Sequence, residues 1–178
     1  MPTGKTKQNI INKKSNSYDI PDVSKLDKKV KNISIKELNA ILKGEYMAID
    51  SYEKYIKNIT DADTKAEFQK IQKEHKRHAI KLAERIQILG GIPVSSVGVK
   101  GKVVETMSNI KDMGRKSTAD YIRKAQHGED TGIKMTSKII KGDLDKDSLS
   151  LINSMLKEDE NHVNILSEMM SPATNNIK

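Results

Sequence analysis

The sequence predicts an all-α protein, an antiparallel four-helix bundle in which a long crossover joins two similar helical hairpins. Aromatic residues make up only 3% of the 178 residues, and aliphatic residues recur among lysine and glutamate, a composition typical of helices packed on helices. Four segments carry apolar residues every three or four positions, which is the period of one helix face. These segments form two pairs, and the second pair repeats the first.

The composition also limits the chemistry that the chain can support. There is no cysteine, which excludes disulfides, zinc fingers, thiolate catalysis and a rubredoxin-type iron centre. Any metal must therefore be held by carboxylates and imidazoles. No apolar run approaches the roughly 20 residues that span a bilayer, and the amino terminus lacks the apolar core of a signal peptide. We expect a soluble, cytoplasmic protein with no membrane partner.

Residues 1–33 are predicted to form a flexible tail rich in lysine and asparagine. The whole chain carries a net charge of +8, and eight lysines against three aspartates place +5 of it in the first 31 residues. Such a composition buries too little apolar surface to offset the entropy of ordering. Nucleic-acid binding would be limited to this tail, which lacks interleaved aromatic residues and a folded motif. A solvated tail is the simpler interpretation.

The first hairpin is predicted from its caps and apolar periods. Residues 34–37 read Ser-Ile-Lys-Glu, the pattern of a capping box, and predict that the first helix begins at Ser34 and runs to about Ile59. A turn at residues 61–64 leads into a second helix that runs to about Leu89 and is ended by two glycines. The predicted core positions are Leu38, Ile41, Leu42, Ala48, Ile49, Tyr52, Tyr55, Ile56, Ile59, Phe68, Ile71, Leu82, Ile86 and Leu89.

The crossover and the second hairpin follow. Residues 90–101 have no helical period and would cross the end of the bundle, with a short helix over residues 103–112. A second cap pattern at Ser117 predicts a third helix to about Lys141, and a fourth runs from about Ser148 to Met170, which leaves residues 172–178 as a short tail. The core positions on this hairpin are Ile122, Ala125, Ile133, Thr136, Ile140, Ile152, Met155 and Leu166.

The second hairpin repeats the first at a constant offset of 84 positions, without a gap. Ionisable residues interrupt the apolar face of every predicted helix and take part in the repeat. Counting from each turn at 1.5 Å per residue places all of them about 20 to 25 Å from the turn, so they share one level of the bundle. Charged residues are rarely buried without partners, and six at one level indicate a metal site. They are Glu45, His75, His78, Glu129, Asp159 and His162.

With these residues the chain resembles the ferritin-like superfamily, which includes rubrerythrin and bacterioferritin. Its di-iron members carry one Glu on each of two helices and a Glu-x-x-His motif on each of the other two. Glu45 and Glu129 match the single glutamates. Residues 75–78 and 159–162 stand where the two motifs belong, with His75 and Asp159 replacing their glutamates. The resemblance covers residues 34–170, and Gly-Gly-Ile-Pro at 90–93 and Gly-Glu-Asp at 128–130 also resemble an uncharacterised bacterial branch of the superfamily.

The resemblance implies a di-iron or di-manganese site that uses Fe(II) with oxygen or peroxide, in ferroxidase-like or peroxidase-like oxidation or in defence against oxidative stress. Glu45 and Glu129 would be terminal ligands, His78 and His162 imidazole ligands, and His75 and Asp159 unusual fifth and sixth ligands. Peroxidase turnover would need an external reductant. A homo-oligomer is left open. The alternative is a non-catalytic interaction or structural module, in which Glu45 with His78 and Glu129 with His162 form buried polar pairs.

Four further residues near this layer are interpreted as structural. Glu74 and Glu158, four positions before the two repeated histidines, are predicted to be solvated, although a small helix rotation would make them ligands. Tyr52, two turns after Glu45, could hydrogen-bond to a ligand, but a core tyrosine near a helix end is the preferred interpretation. His127 is predicted to lie on the surface.

Overall fold

The computed structural model describes residues 22–96 and 117–171. These residues form four helices, α1 (Lys28–Asn58), α2 (Ala62–Ile88), α3 (Thr118–Ile139) and α4 (Lys146–Met170). Helix α1 packs against α2 and α3, and α4 packs against α3 and α2. The predicted four-helix bundle is therefore confirmed. The predicted helix over residues 103–112 lies outside the described residues.

Helix α1 begins at Lys28, well before the predicted start, so the capping box at Ser34 and the tail boundary at residue 33 are wrong. The carboxylate of Asp27 caps the helix by accepting hydrogen bonds from the amides of Lys29 and Val30. Ser34 lies inside the helix and is fully buried. Its hydroxyl accepts a hydrogen bond from the backbone N–H of Asp145 at 2.9 Å. The serine thus joins α1 to the turn between α3 and α4, and the capping pattern is coincidental.

The other helix starts agree closely with the sequence. Ser117 and Asp120 form the predicted capping box of α3. Asp61 caps α2 through the amide of Thr64, and Asp145 caps α4 through the amide of Ser148. The last two caps are related by the same offset as the helices, so the repeat includes the turns. Helix α4 begins at Lys146 rather than Ser148 because Asp145 is its cap.

Two apolar clusters form the core. One is built around Leu42 and Leu82, and the other is an aromatic cluster around Tyr52 and Phe68. On α1, Glu45 lies between the residues of the two clusters. On each of the other helices the polar positions likewise lie between the two clusters. Most predicted core positions are buried. The exceptions are only partly buried; four of them lie at the edges of the clusters, Ile49, Ile56, Ile133 and Ile140, and the fifth is Ala48.

A buried ion pair ties the far end of α2 to the second hairpin. The guanidinium of Arg85 pairs with Asp145, and its Nε donates to the hydroxyl of Ser148 at 3.1 Å. Together with Ser34, these residues fix the position of the α3–α4 turn against α1 and α2. Within the residues that the structure describes, no helix is long and apolar enough to cross a membrane.

Candidate metal centre

The six predicted ligands meet in one layer between the two apolar clusters. Helix α1 supplies Glu45, α3 supplies Glu129, and α2 and α4 supply the remaining four. Five of the six residues are buried, and the side chain of Asp159 is 13% exposed. The structure therefore brings together the whole set that the sequence suggests. Its assignment as a set of metal ligands stays a prediction.

His75 lies between the two glutamates and contacts both. Its Nδ1 is 2.8 Å from Oε2 of Glu45, and its Nε2 is 3.0 Å from Oε1 of Glu129. The two polar pairs considered in the sequence do not form as hydrogen bonds. Nδ1 of His78 is 3.6 Å from Glu45, and Nδ1 of His162 is 3.5 Å from Glu129, distances too long for a hydrogen bond.

The two repeated histidines are held from outside by glutamates on the opposite helix. Nε2 of His78 on α2 lies 2.9 Å from Glu158 on α4, and Nε2 of His162 on α4 lies 2.6 Å from Glu74 on α2. The prediction that these two glutamates are only solvated is therefore wrong. A carboxylate that accepts the Nε2–H proton fixes the ring tautomer and leaves Nδ1 with a free lone pair. Nδ1 of each ring faces the layer, near Glu45 for His78 and near Glu129 for His162.

Three buried ligand atoms in the layer have no hydrogen-bond partner among the described residues. They are Nδ1 of His78, Nδ1 of His162 and Oδ1 of Asp159. The aspartate oxygen lies at similar distances from the two nitrogens, 3.6 Å from Nδ1 of His78 and 3.8 Å from Nδ1 of His162. Leaving buried acceptors unpaired costs about 1 to 3 kcal/mol each. Three such atoms facing one another are therefore better explained by a cation site than by chance.

The spacing of the donors fits metal ions. Two groups, Glu45 with His75 and His78, and His75 with Glu129 and His162, each offer ligand atoms within 4.8 Å of one another. An ion with bonds of about 2.0 to 2.1 Å in tetrahedral geometry separates its ligands by about 3.3 Å. The nitrogen–oxygen distances in the layer, from 2.8 to 3.8 Å, bracket that value. Carboxylate with imidazole is a donor set used by iron, manganese and zinc.

Comparison with known proteins identifies the family. Residues 34–142 match the family described as domain of unknown function (DUF2383). The chain belongs to this family. No curated protein matches the chain.

Solved structures show that this DUF2383 protein has a ferritin-like fold. DpsC from Streptomyces coelicolor has a TM-score of 0.73 and 20% identity, over 89% of this chain and 93% of that one. A dodecameric thioferritin, the bacterioferritin-related protein of Bacteroides fragilis, has a TM-score of 0.63 and 25% identity, over 82% and 86%. A ferritin-like diiron-carboxylate protein from Bacillus anthracis str. Ames has a TM-score of 0.60 and 22% identity, over 82% and 100%.

The DUF2383 chain spans 41% of a further similar structure, a two-domain protein of Anabaena variabilis that contains dj-1/thij/pfpi-like and ferritin-like domains. That match has a TM-score of 0.64 and 20% identity and covers 83% of the present chain. The expectation of a ferritin-like bundle is confirmed by all of these structures.

Without bound metal, the polar layer of the DUF2383 protein is stabilised by the pairing of a protonated histidine with ionised glutamates. Burial disfavours a charged His75, but hydrogen bonds with Glu129 and Glu45 outweigh burial and raise its pKa well above the usual range. Burial would raise the pKa of Glu129, yet the nearby ring of His162 and the hydrogen bond with His75 hold that pKa at about 2. Burial and repulsion from Glu45 raise the pKa of Asp159 to about 7. A charged His75 between two ionised glutamates thus occupies the centre of the layer.

The remaining neighbours divide between the surface and the core. His127 is exposed, as predicted. Tyr52 is a core residue whose ring packs edge-on against Phe68 at 5.3 Å between centroids. Its hydroxyl also donates to Oε1 of Glu129 at 2.7 Å, so Tyr52 takes both the core position and the hydrogen bond that the sequence left as an alternative. The repeat offers a signal for the outer glutamates, since its offset carries Glu74 onto Glu158.

Proposed function

We propose that this DUF2383 protein binds two iron or manganese ions in the polar layer and acts in the cytoplasm in iron oxidation or in defence against oxidative stress. Glu45 with His78 would hold one ion, and Glu129 with His162 the other. His75 and Asp159 would lie between them. The observation that carries the proposal is the set of three buried ligand atoms without partners, Nδ1 of His78 and His162 and Oδ1 of Asp159.

Bound iron would supply one-electron chemistry towards oxygen or peroxide, and the protein would supply the setting. The crosswise carboxylates of Glu158 and Glu74 orient the two imidazoles and raise their basicity. The hydroxyl of Tyr52 holds one oxygen of Glu129, which leaves Oε2 directed towards His162 at 3.5 Å. The aromatic cluster beneath the layer excludes water from that side.

Metal analysis of the wild-type protein purified without chelators tests the proposal. We expect iron or manganese at two ions per chain. Glu45→Ala and His162→Ala should each lower that content by at least one ion per chain, since each removes a ligand from one group. His127→Ala is the matched control, because this histidine is exposed and lies outside both groups; its metal content should equal that of the wild type.

Wild-type protein without stoichiometric iron, manganese or zinc would refute the metal-binding function. Equal loss of metal in His127→Ala and His162→Ala would refute the assignment of the site. If iron is bound, oxygen consumption on adding Fe(II) to metal-free protein then tests the oxidative role. If the protein only binds iron without oxidising it, its oxygen consumption should not exceed that of Glu45→Ala.

A second candidate is a non-catalytic structural or interaction module whose polar layer is complete without metal. One observation favours it: both nitrogens of His75 already contact glutamates at hydrogen-bond distance. A doubly protonated ring would neutralise much of the charge on Glu45 and Glu129. This candidate does not explain the three unpaired atoms in the rest of the layer. It predicts that metal salts leave the unfolding temperature of the protein unchanged. A metal site predicts that the unfolding temperature rises with the concentration of the ion.

The proposal includes assembly of identical chains. The support is the similarity to the Bacteroides fragilis thioferritin, which is dodecameric. Sedimentation equilibrium of the full chain measures the assembly directly. A mass of one chain, 19.9 kDa, at all concentrations would refute it without affecting the metal site.

A further inference from the structure

We propose that His75 bridges the two metal ions, with each ring nitrogen bound to a different ion. This inference rests on the proposed function, since it assigns the centre of the same site. The bridge would be a histidine ring at the place where the Glu-x-x-His pattern has a carboxylate. His75 therefore would not weaken the site but would change the kind of dinuclear centre that the bundle holds.

The geometry of the ring carries the proposal. His75 is the one residue shared by the two groups of potential ligands found in the described residues. Its Nδ1 faces Glu45, the carboxylate of the group that contains His78, and its Nε2 faces Glu129, the carboxylate of the group that contains His162. The lone pairs of the two ring nitrogens diverge in the ring plane. They cannot converge on one ion, but each can bind an ion beside its own glutamate.

The charge of the layer agrees with such a bridge. A bridging ring needs a lone pair on each nitrogen, so the charged His75 ring of the metal-free protein must release both of its N–H protons to solvent as the ions bind. Glu45, Glu129, Asp159 and the deprotonated ring then carry four negative charges. Two divalent ions carry four positive charges. The buried layer becomes neutral as a whole, which avoids the large cost of burying net charge.

The bridge sets the distance between the ions. Each ion lies about 2 Å from its nitrogen, and the width of the ring lies between them, so the ions are about 6 Å apart. Metal pairs that share oxygen ligands lie about 3.5 to 4 Å apart. At the larger distance one oxygen of Asp159 cannot bind both ions. Asp159 is one methylene shorter than glutamate, and it would bind one ion or use its two oxygens separately.

Crystals of the full-length wild-type protein grown with Zn(II) test the bridge through anomalous scattering, which locates each zinc ion. We expect two zinc ions separated by the full width of the His75 ring and one metal–nitrogen bond on each side. The comparison variant is His75→Glu, which restores the Glu-x-x-His pattern in residues 75–78. There we expect the two ions to approach to about 3.5 to 4 Å. The distance between the two zinc ions in the wild type tests the bridge even if His75→Glu does not fold.

The possible results distinguish a failure of the bridge from a failure of the proposed function. Two zinc ions within about 4 Å of each other in the wild type, the spacing of ions that share oxygen ligands, would overturn the bridge and leave the metal site standing. A zinc ion on only one nitrogen of His75, or zinc ions that do not contact His75, would do the same. No zinc in the layer, or adventitious zinc on the surface only, would overturn the bridge and the proposed function together.

Discussion

Replacing Arg85 with methionine should destabilise the bundle far more than the same replacement at Arg123. Both arginines pair with an aspartate, but their surroundings differ. The side chains of Arg85 and Asp145 are 7% and 1% exposed, whereas those of Arg123 and Asp120 are 56% and 39% exposed. Methionine has a similar length without the charge. The comparison therefore sets a buried ion pair against an exposed one.

The expected cost for Arg85→Met is about 3 to 5 kcal/mol, because the carboxylate of Asp145 would remain buried without its cation. The hydrogen bond from Arg85 to Ser148 is lost in addition. For Arg123→Met the expected cost is at most about 1 kcal/mol, as for other exposed pairs. Most of the larger value comes from the charge left behind. Adding Asp145→Asn to Arg85→Met should therefore recover part of the loss, since Asn can still cap Ser148.

Urea unfolding followed by far-ultraviolet circular dichroism gives the free energy of unfolding of each variant. The protein should be freed of metal first, because ligand binding adds to apparent stability. Costs that agree within about 1 kcal/mol for Arg85→Met and Arg123→Met would refute the reasoning, since a buried and an exposed pair would then behave alike. A double variant less stable than Arg85→Met alone would show that Asp145 does not become an unpaired charge.

Three further predictions concern the polar layer. Glu74→Ala removes the carboxylate that accepts the hydrogen bond from His162 and should weaken metal binding about 10- to 100-fold, measured by competition with a chromophoric chelator. No change, or an equal change in the exposed control Glu160→Ala, would contradict this role. Tyr52→Phe should cost about 1 to 3 kcal/mol in metal-free protein because Glu129 loses a buried donor, and urea unfolding with a cost near zero would disprove it. A folded-state pKa of about 2 for Glu129 lies below its unfolded value of 4.5, so its stabilisation is present above that value and is lost as pH falls towards 2. The stabilisation amounts to about 3 kcal/mol. In metal-free Glu129→Gln, the free energy of unfolding should lack that part of its dependence on pH. If stability falls with acid as steeply in this variant as in the wild type, the assigned role of Glu129 is contradicted.

The fold and the height of the candidate site could be predicted because both follow from spacing along the chain. Apolar residues every three or four positions define one face of each helix. Distance from a turn is fixed by the rise per residue, so Glu45, His75 and His162 had to meet at one level. The repeat doubled these signals. Neither inference needs the rotation of one helix about its axis relative to another.

Partner choice could not be predicted because it depends on that rotation. The sequence could not show that His78 turns Nε2 towards Glu158 on another helix rather than towards Glu45. The same holds for Ser34, whose hydroxyl is used between helices, although its local pattern is that of a cap. Local patterns report hydrogen bonds within a few residues. A contact between positions as distant along the chain as Ser34 and Asp145 leaves no such pattern.

The repeat also shows where the two halves of the site should differ. Its offset carries Arg77 onto Asn161, and Arg77 pairs with Glu158, the carboxylate that holds His78. The positive charge of Arg77 offsets part of the negative charge of Glu158. His78 should therefore be a weaker metal ligand than His162, which is held by Glu74. Because the arginine side chain is 49% exposed, the effect should be at most about 1 kcal/mol, or about fivefold in affinity.

If two ions bind, the ion beside Glu129 and His162 should therefore bind first. Calorimetric titration of metal-free protein with Zn(II) would give two binding constants. Arg77→Gln should narrow the gap between them by strengthening the weaker site, whereas the exposed control Arg123→Gln should not. A gap that is unchanged in Arg77→Gln would mean that the difference between the halves arises at His75 and Asp159, the one pair of ligands that the repeat does not preserve.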